Sequence, residues 1–399
     1  MASAKRKVLY VTGLWTGIKP FFLEGNPEPK GMPAFFNPLL MMANDDRFDV
    51  IDIFFFGSAV PSSFKLPDQY RSKINVRGFG YKGKLDFIAV ATRLLHALLK
   101  VCSKEKVDVL YGHGPAGAMA GLTSLVKRVP NVRRIYGTFL IDEIKSAKLS
   151  LFFKHPLEYL AFSLPAKAVV ITNDGTHGDK VYQKIGSKYS PLFFWLNGVE
   201  KINEGLPSAE SIRKKFGLSG NPYACYVARF DHWKRQDIVV KAMLEVVDFN
   251  LELDMVLVGP VYNRKFYQEL KEYTESHGLT ERVHFIPGVE KKEALALIRD
   301  AKVSLSFYNI SNLGNVFLET MVLNTPILAQ NINGSLAAVP KAAYMEPSSV
   351  DAEGIAEALQ KLTVDLTLVE QQVTAAKEFA LSELSTWEER CERELELLL

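Results

Sequence analysis

Two successive trains of short apolar runs, each run followed by a stretch with helical spacing, constrain this chain more than any single motif does. A strand buried on both faces reads as a continuous apolar run, and a helical crossover between such strands makes them parallel. The first train places strands at 7–12, 49–56, 74–79, 107–111, 132–136, 168–172 and 191–196. The second places them at 223–228, 253–258, 282–286, 302–307, 326–330 and 342–345. Helical spacing between them predicts helices at 34–44, 85–102, 234–247, 265–277 and 382–399. The expected class is α/β, two domains each wound about a mostly parallel sheet.

A length of 399 residues suits two such domains. The reading divides the chain into 1–200, 201–380 and a final helix at 381–399, with Gly217, Gly220 and Pro222 punctuating the linker. Three scattered cysteines, Cys102, Cys225 and Cys391, match no disulfide or metal spacing and suit a reducing compartment. No basic segment leads into a long apolar run near the amino terminus, so no signal peptide is expected and the predicted location is cytoplasmic. Apolar stretches near 53–56 and 151–164 are too short or too interrupted to span a bilayer. Residues 1–200 hold 27 basic and 16 acidic side chains, against 21 and 29 in the remainder. That asymmetry turns the first half toward something anionic, a phosphate-bearing substrate or a lipid surface, or leaves it a solvated basic face.

In a parallel α/β sheet the ligand crevice lies at the carboxyl ends of the strands. The long loop after the first strand, with Gly13, Gly17 and the Gly/Pro-rich 20–33, is a candidate crevice wall, and Gly17 on it is a candidate donor-binding residue. His113, between Gly112 and Gly114, ends the fourth strand in the same region. The stretch Gly78 to Gly83 spells G-x-G-x-x-G, but it falls on the third strand, and no acidic residue ends the next one to hold a ribose. A dinucleotide site is therefore a weak rival. Phe152, Phe153, Tyr159 and Phe162, among lysines, read as core packing or as a membrane-surface contact. His96 reads as an exposed helix residue.

The second half carries the stronger pattern. Residues 306–330 read as a strand end, a turn with Gly314, an amphipathic helix and a second buried strand. Gly314 opens the helix start, where free N–H groups and the dipole favour an anion, and Glu319 lies one turn in, placed to accept from a vicinal diol. After the domain's first strand, Arg229 and Lys234 bracket a loop leading into a helix, the makings of a phosphate clamp.

Arg229 and Lys234, Asn197-Gly198-Val199-Glu200, Val256 to Gly259, Arg282 to Phe285 and Ser311 to Glu319 resemble, in order and spacing, the retaining glycosyltransferases of family 4. The similarity runs through about 195–340 and faintly to Thr386-Trp387-Glu388. It implies the GT-B fold, two Rossmann-like domains facing a cleft, the first binding the acceptor and the second the nucleotide sugar. It further implies that Arg229 and Lys234 neutralise the departing diphosphate and that Glu319 holds the ribose. The amides of Gly314, Asn315 and Val316 would take the distal phosphate. Val289 would flank the base, and His113 would lie beside the transferred sugar.

One position departs from the family. The first Glu of its E-x7-E motif is Ser311 here, followed by Asn312 where Gly is usual, so the sugar pocket is altered toward a donor unlike plain glucose. The expected reaction moves a sugar, with UDP as the favoured carrier, to a hydroxyl of a glycan or lipid-linked acceptor with retention of configuration. A role in bacterial surface polysaccharide or glycoconjugate synthesis follows. No D-x-D cluster stands near these motifs, so no metal and no other cofactor is expected. The expected partners are a nucleotide sugar, its acceptor and an anionic inner membrane face, with no nucleic acid. The rival from another class is a non-catalytic nucleotide-sugar scaffold. An epimerase on the same architecture is less favoured, because the extra carboxylates it needs are not identifiable.

Overall fold

The structure, a computed structural model, describes residues 5–15, 17–29, 31, 33–58, 60–202 and 205–399, with only the backbone at Leu85. Thr16, Lys30 and Met32 of the long first loop lie outside the described residues. The chain divides into two compact units, Met1–Gly198 with Ser385–Leu399, and Val199–Leu384.

The first unit holds seven parallel strands: β1 (Arg6–Thr12), β2 (Phe48–Ser58), β3 (Ile74–Tyr81), β4 (Val109–His113), β5 (Asn131–Ile135), β6 (Ala168–Thr172) and β7 (Leu192–Trp195). Their spatial order is β3-β2-β1-β4-β5-β6-β7. Val8 and Tyr10 of β1 pack into one apolar cluster while Leu9 and Val11 pack into another. Both faces of the sheet are therefore covered, which is why its strands read as unbroken apolar runs.

The G-x-G-x-x-G stretch has a packing explanation. Gly78 and Gly80 lie inside edge strand β3, where a Cβ would stand 2.0 Å from the Pro61 carbonyl oxygen and 2.2 Å from that of Val60. These glycines admit a crossing segment of backbone, and they do not form a phosphate loop.

The second unit holds β8 (Tyr223–Val227), β9 (Asp254–Val258), β10 (Val283–Ile286), β11 (Val303–Ser306) and β12 (Ile327–Ala329), in the order β10-β9-β8-β11-β12. Ala224 and Tyr226 face one cluster, Tyr223 and Cys225 the other. Each unit is thus a doubly wound parallel α/β sheet, as the alternation of runs predicts.

Three local expectations are corrected. The strand expected at 342–345 is a single bridge between Leu328 and Met345, because Lys341–Ala343 forms a 3-10 turn. The helix expected at 234–247 begins at Gln236, since Arg235 is left-handed (φ 52°) and separates the turn His232–Lys234 from the helix Gln236–Asp248. The run expected as one helix at 382–399 breaks after Glu383 and restarts as Trp387–Glu396, where Thr386 and Glu389 cap each other's backbone.

Both sheets share a feature that decides where ligands go. Chain order reverses between β1 and β4 in the first and between β8 and β11 in the second. At such a switch point the following loops diverge and leave a crevice beyond the strands' carboxyl ends. Among the described residues no helix is long and apolar enough to cross a membrane.

Candidate functional site

The loops after β8 and β11 flank the switch point of the second unit. Gly259, at φ 150°, lets the end of β9 press on the first loop, because a Cβ there would stand 2.1 Å from the Ala228 carbonyl oxygen. Gln236 pins the loop from below, its amide nitrogen donating to the Arg229 carbonyl at 2.9 Å. The Arg229 guanidinium lies 3.2 Å from Asp231 and 4.6 Å from the centre of the Tyr262 ring. Asp231 in turn caps the short turn that carries Lys234.

The Lys234 ammonium sits 3.4 Å from the centre of the Tyr308 ring. Burial, and then the neighbouring Arg229 charge, bring its pKa down to about 8 against the pull of Asp231. Tyr308 belongs to the loop after β11 and is fixed there, its hydroxyl donating to the Val227 carbonyl at 2.9 Å. Two bonds stitch the loops together: Asn309 N–H to the Trp233 carbonyl at 3.0 Å, and Arg235 to the Asn309 side chain at 3.1 Å.

Further along the second loop, the Ser311 hydroxyl accepts from Leu313 N–H at 3.2 Å. Asn312 is fully buried. Its side-chain oxygen accepts from Ser306 and from Tyr308 N–H, and its nitrogen donates to the Gln330 carbonyl. Asn312, expected at the donor, holds the shape of the loop from inside. Gly314 caps the helix Asn315–Val322, and nothing stands within 4 Å of where its side chain would begin. Of the three amides expected at an anion, the one of Gly314 donates to the Asn312 carbonyl at 3.0 Å, and Asn315 and Val316 are the first two residues of the helix.

Glu319 is 1% exposed, and Lys291 holds both of its carboxylate oxygens at 2.6 Å. Burial raises the carboxyl's pKa, with Lys291 opposing and the Glu200 charge adding. The charge of Glu319 also reaches the Tyr308 phenol, raised mainly by its own burial. Lys234, from the loop after β8, thus lies on the ring of Tyr308, from the loop after β11, while Glu319 in the helix that follows is paired with Lys291. Val289 follows β10, and its side chain packs against the sheet next to the left-handed Gly288 (φ 92°).

In the first unit, Gly17 (φ 95°) follows β1 and His113 ends β4, so both flank the β1/β4 switch point. Gly112 has its Cβ position 2.6 Å from the Gly117 Cα, which brings strand and helix together. His113 has no exposed surface. Its ring stacks on Tyr10 at 4.4 Å, meets Tyr111 edge-on and shares its Nδ1 with the Tyr136 hydroxyl. Burial, aided by Arg134, brings its pKa down to about 3 despite Glu394, so the ring is neutral at ordinary pH. Its Nε2 is buried and has no hydrogen-bond partner among the described residues.

Beneath that histidine lies a group the sequence reading did not find. Glu394, facing inward from the helix Trp387–Glu396, accepts from Tyr111, Arg134 and Arg390, the last at 2.8 Å. Burial works to raise its pKa, but Arg134 and Arg390 outweigh it and hold the carboxyl at about 2. An acidic side chain of a surface helix ordinarily faces solvent, and this one is inside because two buried guanidinium groups compensate it. Lys291 and Tyr308 were missed as well; a lysine at a helix start and a tyrosine after an apolar run carry no periodic signal. Among the described residues no cluster of three or more His, Cys, Asp and Glu is placed to hold a metal ion.

Comparison with known proteins follows this geometry. Residues 208–379 match the family Glycosyl transferases group 1. A 2-deoxystreptamine glucosyltransferase of Streptomyces kanamyceticus is 26% identical over 180 residues, 44% of this chain and 45% of that protein. The chain therefore spans a little under half the length of the curated relative it matches. HepE of Anabaena, solved in complex with UDP, superimposes with a TM-score of 0.71 over 98% of this chain and 99% of that one, at 16% identity. Sucrose-phosphate synthase of Thermosynechococcus elongatus gives 0.67 over 99% and 98%, at 15% identity. The likeness to these structures is one of fold, the two-domain α/β architecture called GT-B.

Proposed function

We propose that the chain transfers a sugar from a nucleoside diphosphate sugar to an acceptor hydroxyl with retention of configuration. One observation supports this reading: Arg229 and Lys234 follow β8 and Glu319 lies in the helix that follows β11, the two strands of the switch point, inside the segment that matches Glycosyl transferases group 1. Arg229 and Lys234 take the donor's diphosphate and neutralise the charge that grows as the anomeric carbon–oxygen bond breaks. Preorganised charges of this kind act most strongly on the transition state. The amides of Asn315 and Val316 take the distal phosphate, Glu319 the ribose, and the backbone about Val289 the base. Ser311 faces the sugar, and Asn312 sets the shape of the loop.

UDP is the favoured carrier, in keeping with the UDP bound to HepE. The reaction needs no divalent metal, since two fixed cations supply the charge; loss of activity with chelator and its return with Mn²⁺ would overturn this. We assign the acceptor to the first unit and keep Gly17 as a donor-binding position, with His113 positioning the β1/β4 crevice wall through the hydroxyls of Tyr10 and Tyr136.

A lipid-linked acceptor at an anionic inner membrane face is supported by the short helix Lys148–Lys154. Leu149 and Phe153, one turn apart, are 66% and 73% exposed, while Leu151 on the opposite side is buried. Lys148 and Lys154 fall on either side of that apolar strip, the pattern of a surface-lying segment. Co-sedimentation with phosphatidylglycerol vesicles but not phosphatidylcholine ones, weakened by salt, is the expected result.

The main test is a thermal-shift screen against uridine, guanosine, adenosine and thymidine diphosphates, since a ligand that binds only the folded chain raises its melting temperature. Uridine diphosphate should give the largest rise, and no rise with any of the four would overturn the reading. Binding without turnover of any sugar donor would make the chain a scaffold, the alternative that Ser311 raises.

A further inference from the structure

Glu319 has a second tenant in view. The Lys291 ammonium lies 2.6 Å from each carboxylate oxygen, the symmetric position from which a vicinal diol would also donate two bonds. Ammonium and diol cannot both occupy it. The two partners differ in freedom: Glu319 is locked in the second turn of Asn315–Val322 and 1% exposed, whereas the side chain of Lys291 is 45% exposed. Lys291 is the first residue of the helix Lys291–Arg299, whose start is fixed by a reciprocal cap between Glu290 and Glu293. Its backbone is therefore held, and a rotation of its own side chain is enough to carry the ammonium into solvent.

We propose that Lys291 is a displaceable counter-ion that covers Glu319 while the site is empty, yields to the ribose diol of an entering nucleotide and reclaims the carboxylate as the spent nucleotide leaves. The inference rests on the donor-site reading above. It makes Lys291 a specificity residue: only a ligand with both ribose hydroxyls returns what displacing the lysine costs. A buried carboxylate stripped of its partner is strongly disfavoured, so Lys291 stabilises the empty state far more than the occupied one. Removing it therefore tightens binding of a diol-bearing nucleotide.

The test is calorimetric titration of the wild-type chain, Lys291→Met and Lys291→Arg with uridine diphosphate and with its 2′,3′-dideoxy analogue. In Lys291→Met the dissociation constant for uridine diphosphate should fall about fivefold or more, with slower release, while that of the dideoxy analogue stays within about twofold. In Lys291→Arg, whose planar fork grips a carboxylate in bidentate fashion, the same constant should rise. This second variant decides the matter if the methionine variant does not fold. Weaker or unchanged uridine diphosphate binding in Lys291→Met, or equal shifts for both nucleotides, would overturn the counter-ion role while leaving the donor site intact. A wild-type chain that binds neither nucleotide would overturn the donor-site reading beneath it.

Discussion

The Lys234 ammonium stands 3.4 Å from the centre of the Tyr308 ring, which places a cation from the loop after β8 on an aromatic face from the loop after β11. The contact spans the point where strand order reverses, and it gives the cation a partner that does not neutralise it. An ion pair would cancel the charge that a diphosphate needs, and a ring does not.

A pH dependence follows. With its pKa brought down to about 8, Lys234 is half neutral near that pH, and a bound diphosphate favours the charged form. Uridine diphosphate binding should take up a proton around pH 8 to 9, and affinity should weaken as pH rises through about 8. Calorimetry in buffers of different ionisation enthalpy reads the proton directly; no buffer dependence would contradict the assignment. The stability sign is opposite to that of a salt-bridged lysine. Between about 8 and the ordinary value of 10.5 the unfolded chain binds more protons, so this group's contribution rises with pH there.

Lys234→Met and Arg229→Met should each lower kcat by roughly 10²- to 10³-fold, the cost of one preorganised donor in a transition-state site. Thermal denaturation should hardly change for Lys234→Met, because burial disfavours the lysine's charge. A large loss of melting temperature with activity per folded molecule intact would assign the lysine to structure.

Ser311→Glu restores a carboxylate where the family resemblance puts one. It should lower kcat/KM for the native donor by about tenfold, since a charged, longer side chain fills a pocket shaped around a hydroxyl. It also removes the acceptor of Leu313 N–H. Steady-state kinetics with the donor that the nucleotide screen selects will show this, and unchanged values would free Ser311 of any role in sugar choice.

Acid should act on Glu394. Held at about 2 in the folded chain against an ordinary 4.5, its contribution is full above 4.5 and is lost as pH falls toward 2. Glu394→Gln should cost about 3–5 kcal/mol, since it leaves Arg134 and Arg390 buried without their charge partner. It should also flatten the acid limb of a plot of stability against pH. A variant as stable as the parent at neutral pH would disprove the cluster's role.

Gly198→Ala tests how the last helix seats on the first unit. The added Cβ would stand 2.7 Å from the Trp387 Cα and 2.8 Å from its ring, with backbone on one side and a buried indole on the other. A loss of about 1–3 kcal/mol is expected from overpacking. Gly220→Ala, with nothing within 4 Å, is the control and should be neutral. Equal denaturation midpoints for the two would refute the packing argument.

The sequence by itself determined the class of fold, because a parallel strand covered on both faces has no polar side and must appear as an unbroken apolar run. The same logic set the strands of both sheets to within a few residues, and loops after strand ends marked Gly17, His113, Arg229, Lys234 and Ser311 to Glu319 as places to look. Only the tertiary structure decided what those residues touch. Strand order, which fixes the switch points, depends on pairings between segments far apart in the chain and leaves no local periodicity. Lys291 meets Glu319 from 28 positions away, and Glu394 meets Arg134 from 260. A charge turned inward looks the same in sequence as a charge turned outward; burial by distant partners distinguishes them. That is why nothing in the sequence marks His113 as fully buried, or Asn312 as the residue that holds its loop together.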